Sequence, residues 1–438
     1  MKPSQFHVLC LLSFAMISLD VMGVFGQLES PEGASSSGEQ GQTSLDESFS
    51  AKPEDFVQLS GDDATHFQYR FRSFYFSRDD FDGSRKEAWA MGGWIGAQTS
   101  YLGDRISFGV TGYTSQKVTG EPDEDGTGLL ETGQEGFTVL GEAYADIRVA
   151  DEIYFNVGRK EYDTTYINEN DSRMLPNTFE AATVLGAQPF GSSGGTIRYG
   201  GGYFHRIKDR SSDDFISMSV AAGAPVERGV IAGGAIYETD EFSLGAINYL
   251  SPDVINIFYT EMKVTAPISD DLRPRVAFQY SNQRSAGDDL LTGSEFDAHQ
   301  AGIKAELPIG PALFTTAWTN AWGDSGLRSP WSGYPGFTAV QAGDFNRQGE
   351  EAFLYRVAYD FETIPGFSAY ALWVQGSDPD TADSFARDEG DLNLQWAPPE
   401  GFLDGLAFRV RYAQVDEKGP LDRERDDFRL ILNYGREW

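Results

Sequence analysis

The chain has 438 residues, and its 34 Lys and Arg against 67 Asp and Glu give a formal net charge of −33. This excess of negative charge argues against a protein that binds nucleic-acid phosphates, because affinity there comes from clustered Lys and Arg. A mean hydropathy of −0.38, with no uninterrupted apolar run of about 18 residues or more, excludes a bundle of membrane-spanning helices but not a membrane β-barrel.

The first predicted element is a secretory signal peptide over residues 1–26. It opens with Lys2, continues through the apolar run 8–19 and ends at Gly26. The run is too short for the alternative, an N-terminal membrane anchor. Cys10 is the only cysteine, and it lies in this segment. The exported chain is therefore expected to have no disulfide and no thiolate metal ligand.

Residues 27–65 follow as an acidic flexible tail. Ser, Gly, Gln, Glu and Asp dominate this segment, and aromatic and β-branched residues are few. Such a composition offers too little apolar surface to order the chain. The folded part is therefore predicted to cover residues 66–438.

From His66 onward, apolar and polar residues alternate with a period of two, as in β-strands. Ile106, Phe108 and Val110 share one face of such a segment, with small or polar residues on the other. Further segments with this pattern are 216–220, 275–280, 353–361, 391–396, 408–412 and 428–434. Helical periodicity is hard to find, so the sequence predicts an all-β fold.

Alternation alone fits both a soluble sandwich and a transmembrane barrel. Three features favour the barrel. The apolar faces are rich in aromatic residues, as expected at the two membrane interfaces, and the polar faces carry Arg, Asn, Gln, Ser and Gly, which suit a water-filled lumen. The chain also closes on an amphipathic strand ending in Trp438, as many bacterial outer-membrane proteins do for the barrel-insertion machinery.

The length of the folded part suits a transmembrane antiparallel β-barrel of about 18 strands, with roughly ten residues in each strand. Closing the sheet would also stabilise an exported chain without disulfides. One rim is predicted to carry long loops at 120–136, 160–182, 285–296, 323–348 and 376–388. Short turns such as 150–152 and 269–271 are predicted at the opposite rim.

Several segments resemble the OprD family of substrate-specific outer-membrane porins of Gram-negative bacteria. The most specific match is Asn-Asp-Ser-Arg-Met-Leu-Pro at 170–176. Further matches are 72–79, 157–161, 177–180, 333–338, 344–346, 359–361, 409–412 and 429–434. The resemblance implies a monomeric or loosely trimeric barrel of 18 strands with an inward-folded third loop. It also implies passive uptake of small carboxylate-bearing solutes, such as amino acids and aromatic or other organic acids, without a cofactor.

Members of this family narrow the pore with that loop and line it with a ladder of basic side chains. The matched motifs carry the ladder role to Arg72, Arg78, Arg409, Arg411 and Arg429. Alternation alone adds Arg70, Arg275 and Arg356. The constriction loop corresponds to about 162–182, with Asp171, Ser172 and Arg173 as candidate constriction residues.

Inward guanidinium groups suit selective anion passage, because a narrow, low-dielectric constriction focuses their field. Arg stays charged and offers a planar fork to a carboxylate, but each site must release the solute again. The alternative for each Arg is a lumen residue neutralised by a neighbouring acid. Arg409 and Arg411 favour function, because two cations two residues apart on one face repel unless an anion lies between them.

Two other functions share the barrel. A general diffusion porin would conduct salts without saturable block by one class of solute. A structural or adhesive barrel would require neither inward arginines nor an inserted loop. Enzymatic activity is not expected, because His66, His205 and His299 belong to no HExxH motif and the chain has no P-loop and no Gly-x-Ser-x-Gly.

The acidic run 121–125 has two interpretations. It is a solvated loop, or it shares divalent cations with anionic lipopolysaccharide, an expected partner together with outer-membrane lipid. As a calcium loop starting at Asp123 it is a poor match, because Gln134 stands where a bidentate Glu belongs. No resident metal ion is therefore predicted.

Overall fold

The computed structural model describes residues 65–190, 194–269, 272–380, 385–399, 401, 403–420 and 422–437. The predicted signal peptide and, apart from Thr65, the predicted acidic tail lie outside these residues. Positions 270 and 271 of a predicted turn, and the terminal Trp438, also lie outside them. Within the described ranges, no helix has the length and apolar character needed to cross a bilayer.

The described chain is almost entirely β-structure. Its strands are β1 (His66–Asp79), β2 (Arg85–Gln98), β3 (Ile106–Thr119), β4 (Phe137–Ala150), β5 (Ile153–Lys160), β6 (Thr178–Phe190), β7 (Gly195–Lys208), β8 (Phe215–Ser217), β9 (Val230–Glu238), β10 (Phe242–Ser251), β11 (Ile255–Thr265), β12 (Arg275–Ser285), β13 (Asp297–Ile309), β14 (Ala312–Gly323), β15 (Glu351–Asp360), β16 (Phe367–Gly376), β17 (Ala386–Trp396), β18 (Leu406–Lys418) and β19 (Arg423–Glu437). A 3-10 helix spans Pro122–Glu124, and one helical turn, α1, spans Met218–Ala221.

The strands form one closed antiparallel sheet. Sequential strands pair with each other, and β1 pairs with β19, so that Phe71 lies opposite Tyr434. The three-residue β8 pairs with the end of β7, next to the place where β9 takes over that edge. Without β8, 18 strands close the barrel. The predicted all-β barrel of about 18 strands is confirmed.

The two faces of the wall differ as the alternation predicted. In β3, Phe108 and Val110 are about half exposed on the outer face, while Ser107 and Thr111 are buried on the inner face. An outer face that meets lipid keeps its apolar side chains, and polar side chains of the inner face find partners in the lumen.

All the predicted long loops lie on one rim, called here the loop rim, and the predicted short turns lie on the other, the turn rim. Three loops matter below: the third loop (161–177), the fourth loop (209–229) and the seventh loop (324–350). The third loop is shorter than predicted, because β6 already begins at Thr178.

The prediction of a strand over 216–220 is wrong, and a long loop at this place was missed. The strand ends at Ser217 and gives way to α1. The hydroxyls of Ser217 and Ser219 both accept the backbone N–H of Arg228 at 3.0 and 2.7 Å. Because Ser side chains compete with strand hydrogen bonds in this way, the chain turns back on itself despite its alternating pattern.

The interior at the loop rim is filled by these loops. Tyr166 of the third loop, Met218 of the fourth, and Trp331 and Tyr334 of the seventh belong to one buried apolar cluster with wall residues such as Tyr249. The Trp331 indole also donates to the backbone oxygen of Met218 at 2.7 Å. Close packing of this kind fixes loops that would otherwise move freely in solvent.

Candidate functional site

The eight predicted ladder arginines occupy inner-face positions of five strands. They are Arg70, Arg72 and Arg78 on β1, Arg275 on β12, Arg356 on β15, Arg409 and Arg411 on β18, and Arg429 on β19. Since β18, β19 and β1 are successive neighbours and β15 lies close to them, the fold brings seven arginines into one sector of the wall. This sector is called the arginine wall.

Arg275 is separate from the arginine wall. It begins β12 at the turn rim, its side chain is half exposed, and its Nε lies 3.0 Å from Glu306 Oε2. Alternation placed Arg275 on the correct face, but alternation says nothing about the distance around the barrel.

Arg72 anchors the third loop to the wall. Its Nη1 lies 2.5 Å from Asp171 Oδ1, and its Nη2 donates to Asp171 Oδ2 at 2.8 Å. The same guanidinium donates to the backbone oxygen of Arg173 at 2.5 Å and, through Nε, to Asn433 Oδ1 at 2.7 Å. With a longer bond to the backbone oxygen of Met174 at 3.4 Å, this buried guanidinium donates to five acceptor atoms; it holds the loop and is neutralised by it.

The other two candidate constriction residues face the neighbouring loops. Ser172 accepts a hydrogen bond from Arg210 of the fourth loop. Arg173 donates from Nε to the backbone oxygen of Thr127 at 2.8 Å, and its guanidinium lies 5.1 Å from the centre of the Phe76 ring. Burial, and then the positive charge of Arg210, lower the pKa of Arg173 well below its ordinary value.

Asp427 joins two of the arginines to the seventh loop. It accepts from Arg78 Nη2 at 2.6 Å and from Arg429 Nε at 2.7 Å. Gln341 Nε2 also donates to this carboxylate at 2.9 Å, and Arg429 donates back to the backbone oxygen of Gln341 at 3.1 Å. The buried Asp427 carboxylate thus pairs with two arginines and also binds the seventh loop.

Arg411 differs from these anchored arginines. It is 1% exposed, and its Nη2 donates to the Tyr370 hydroxyl at 3.1 Å. Its Nε and Nη1 are buried and have no hydrogen-bond partner among the described residues. Arg429 lies directly opposite on β19. Donors left in this state favour any acceptor that can reach them, because unmade hydrogen bonds of buried groups are costly.

Two further arginines surround Arg411. Arg409 donates from Nε to Asn393 Oδ1 at 2.6 Å, and the Arg356 guanidinium lies 4.3 Å from the centre of the Tyr370 ring. Tyr370 therefore contacts two cations, Arg411 through its hydroxyl and Arg356 through its ring. The group combines positive charge, a phenol and planar surfaces, which together suit a carboxylate attached to an apolar or aromatic body.

The seventh loop also enters the barrel, and the sequence interpretation missed this. Asp391 accepts the backbone N–H of Gln341 at 3.1 Å, and Glu389 accepts that of Ala342 at 2.7 Å. Tyr334 donates to Gln300 at 2.8 Å. A signal was present, because the aromatic residues between 331 and 337 are too apolar for a solvated loop.

The third loop also carries acids that face Arg72. Burial, and then the negative charge of Asp171, raise the pKa of Glu169 to about 7. Burial also raises the pKa of Glu161, which accepts a hydrogen bond from Tyr113 at 2.6 Å. The loop therefore brings carboxyl groups whose pKa values lie above the ordinary value of a Glu side chain.

No arrangement for a metal ion is found in the described part of the chain, where no group of three His, Cys, Asp or Glu side chains is placed to hold one. In the acidic run 121–125, the Asp125 carboxylate accepts the backbone N–H groups of Gly126 and Gly133, each at 2.6 Å. These bonds hold the local turn.

Comparisons with known proteins agree on one family. The family model described as outer membrane porin, OprD family, matches residues 61–438. The crystal structure of Pseudomonas aeruginosa OpdK with vanillate has 21% identity and a TM-score of 0.74, covering 85% of this chain and 99% of that chain. The structure of Acinetobacter baumannii OccAB3 has 18% identity and a TM-score of 0.76, covering 85% and 99%.

A BenF-like porin from Pseudomonas fluorescens Pf-5 is similar at 19% identity with a TM-score of 0.75, covering 85% of this chain and 99% of that chain. A search of curated proteins gave no match. At these identities the solved structures establish the fold.

Proposed function

The chain belongs to the OprD family of outer-membrane porins, and on that premise we propose that it mediates passive, selective uptake of small carboxylate-bearing solutes. Amino acids and aromatic or other organic acids are the proposed solutes, and the arginine wall is their proposed route. Porins are transporters, and the mechanism needs only binding and release along a polar wall.

The observation that carries this proposal is the state of Arg411. Arg411 is a buried guanidinium beside Arg409 and opposite Arg429, and two of its donor nitrogens have no hydrogen-bond partner among the described residues. The negative charge of Asp391 acts on it without a hydrogen bond between the two. A carboxylate arriving from water would accept from those donors and lower the repulsion between the cations. Release is possible because Arg409 and Arg356 lie next to Arg411 and offer the following contacts.

The three inward loops support selectivity. Loops that fill much of the mouth leave a narrower path than an open barrel does, and a narrow path strengthens the field of fixed charges. This observation favours a selective channel over a general diffusion porin. The similar OpdK was crystallised with vanillate, an aromatic carboxylate, which is a reason to include that class.

Two finer proposals follow from membership of the family. We propose that the barrel acts as a monomer or a loose homotrimer, and that the amphipathic last strand, β19, is what the insertion machinery recognises. Chemical crosslinking in native membranes tests the first, and insertion of a chain lacking 423–438 tests the second.

The functional experiment is single-channel recording in a planar bilayer with benzoate or an amino acid added to one side. We expect saturable block by the carboxylate, and at least about tenfold weaker block after Arg409→Gln with Arg411→Gln, since hydrogen bonds to charged groups contribute about 1.5–3 kcal/mol each. The matched control is Arg275→Gln, an inward arginine outside the arginine wall, which should leave block unchanged.

Other outcomes separate the alternatives. Large ohmic currents that respond neither to carboxylates nor to the double substitution would identify a general porin. Folded and inserted protein that forms no channel would favour a structural or adhesive barrel. Block that weakens equally in the Arg275→Gln control would contradict the special role of the arginine wall.

A further inference from the structure

A groove crosses the outer, lipid-facing surface of the barrel at β4, β5, β6 and β7. Small residues form its floor, namely Ala143, Gly158 and Ala182. Its sides include Leu140, Val157 and Tyr203, which are 40–47% exposed on the outer face. The groove is open to the outside, and the space in it is about 560 Å³. An apolar depression of this size has room for an extended alkyl chain.

One end of the groove is polar. Arg159 and Glu180 lie directly opposite each other on β5 and β6, and Glu180 Oε1 accepts from Arg159 Nε at 3.0 Å and lies 2.9 Å from Nη2. The guanidinium lies 4.1 Å from the centre of the Phe215 ring. His205 stacks with Tyr203 beside it.

The Arg159 guanidinium keeps donor capacity. One carboxylate oxygen of Glu180 serves two of its nitrogens, and the third, Nη1, reaches the backbone oxygen of Leu140 at 3.4 Å. Arg offers five N–H donors, so a second anion can bind the outward edge of the fork. Stacking on Phe215 holds the fork in position for it.

This polar end lies at the loop rim. Arg159 is next to the last residue of β5, and Glu180 is the third residue of β6, immediately before and after the third loop. In barrels of this kind the long loops are extracellular. The polar end therefore lies at the level of the outer-leaflet head groups, and the apolar groove runs beside the acyl chains.

The charge pattern around the loop rim points to an anion at this place. On β18, β19 and β1, which β2 and β3 separate from the groove, carboxylates occupy outer-face positions and face each other across neighbouring strands. These pairs are Asp416 with Glu424 and Asp79 with Asp426. An anionic head group is repelled there, because like charges placed directly opposite are already destabilising. The groove at β4–β7 instead offers Arg159 and the imidazole of His205.

We propose that this groove is a binding site for one anionic lipid of the outer leaflet, with an acyl chain in the groove and a phosphate on Arg159. The site is separate from the arginine wall and contributes to holding the barrel in the membrane, not to transport. Glu180 weakens phosphate binding at this site, because its carboxylate and the phosphate compete for the same guanidinium.

Native mass spectrometry of the folded protein in detergent tests the proposal, with didodecanoyl phosphatidic acid as the probe and the matching phosphatidylcholine as the neutral comparison. We expect one phosphatidic acid to bind about tenfold more tightly than phosphatidylcholine, and Arg159→Gln to abolish that preference. Glu180→Gln should strengthen binding of phosphatidic acid, because it removes a competing anion.

Two more variants make the test specific. Ala182→Leu fills the floor of the groove and should weaken binding of both lipids severalfold while Arg159 is intact. The matched control is Arg284→Gln, an exposed arginine at the loop-rim end of β12, which should change nothing. Heat-modifiable migration on gels verifies that each variant is folded.

Three results would overturn the proposal. The first is equal affinity of the unsubstituted protein for the two lipids. The second is loss of binding in the Arg284→Gln control. The third is a dimer that Ala182→Leu converts to monomer, since a second copy of the chain would then cover the groove.

Discussion

Replacing Arg72 with Met should release the third loop without unfolding the barrel. Arg72 is 5% exposed in its side chain and Asp171 is 22% exposed. Removing one partner of a buried ion pair costs about 3–5 kcal/mol, and the partial exposure of Asp171 places this pair near the lower figure. At about 1.4 kcal/mol per decade, roughly 3 kcal/mol shifts the equilibrium between docked and undocked loop about a hundredfold.

The loss of stability is confined to the third loop, because the loop keeps other contacts and the strands do not depend on the Arg72 side chain. Lys208 still donates to the backbone oxygen of Pro176 at 2.9 Å, and Met174 and Leu175 stay packed in an apolar cluster. The ladder of strand pairs around Arg72 is backbone-bonded and independent of its side chain. We therefore expect brief undocking of the loop in a stable barrel.

Single-channel recording measures this directly. Arg72→Met should show a new, larger conductance level with frequent transitions, and limited proteolysis should cut within 161–177. The matched control is Arg70→Met. Arg70 lies two residues before Arg72 on the same face of β1, and its guanidinium lies 4.9 Å from the centre of the Trp94 ring. If Arg70→Met opens the channel as much as Arg72→Met, or if neither does, the anchoring argument is wrong.

Three further predictions follow from the site. The pKa of Glu169 is raised from 4.5 to about 7 in the docked third loop, so its protonated form favours docking, and docking should weaken as the pH rises from about 4.5 to 7. Channel transitions should therefore increase from pH 5 to pH 8, and Glu169→Gln should remove that increase. A charged thiol reagent should label a cysteine at Arg409 and spare one at Val410, whereas the reverse would place Val410 in the lumen. Trp331→Ala removes a core indole, worth about 3–5 kcal/mol of packing, and should raise conductance while the protein still migrates as a folded band; an unchanged conductance would show that the seventh loop does not narrow the path.

The strands and their faces could be predicted from the sequence because both depend on local pattern. A period of two fixes which side chains of a strand share a face, whatever the partner strand is. Phe108 and Ser107 therefore lie on opposite sides of the wall, as the sequence indicates. The same rule placed Arg70, Arg275 and Arg356 on inner-face positions, and the five arginines taken from the family motifs also lie on that face.

The interior could not be predicted in the same way, because its contacts join distant parts of the chain. Arg72 and Asp171 are 99 residues apart, and Gln341 and Asp427 are 86 apart. Alternation carries no information about such pairs. The inward course of the seventh loop depends on them, and so does the burial of α1 beneath Trp331. Only the family resemblance predicted a loop inside the barrel, and it predicted the third loop alone.

The arginines of the wall divide by whether a carboxylate is hydrogen-bonded to the guanidinium, and this division decides what each can do. Arg72 is neutralised by Asp171, and Arg78 and Arg429 share Asp427. A buried cation that is already paired stabilises structure and offers little to a passing anion. Arg411 has two buried donor nitrogens without hydrogen-bond partners among the described residues, and for this reason we propose that a solute carboxylate binds there. Substituting the paired arginines would therefore disturb loop anchoring and passage together, whereas Arg409→Gln with Arg411→Gln acts on passage and leaves both loops tied to the wall.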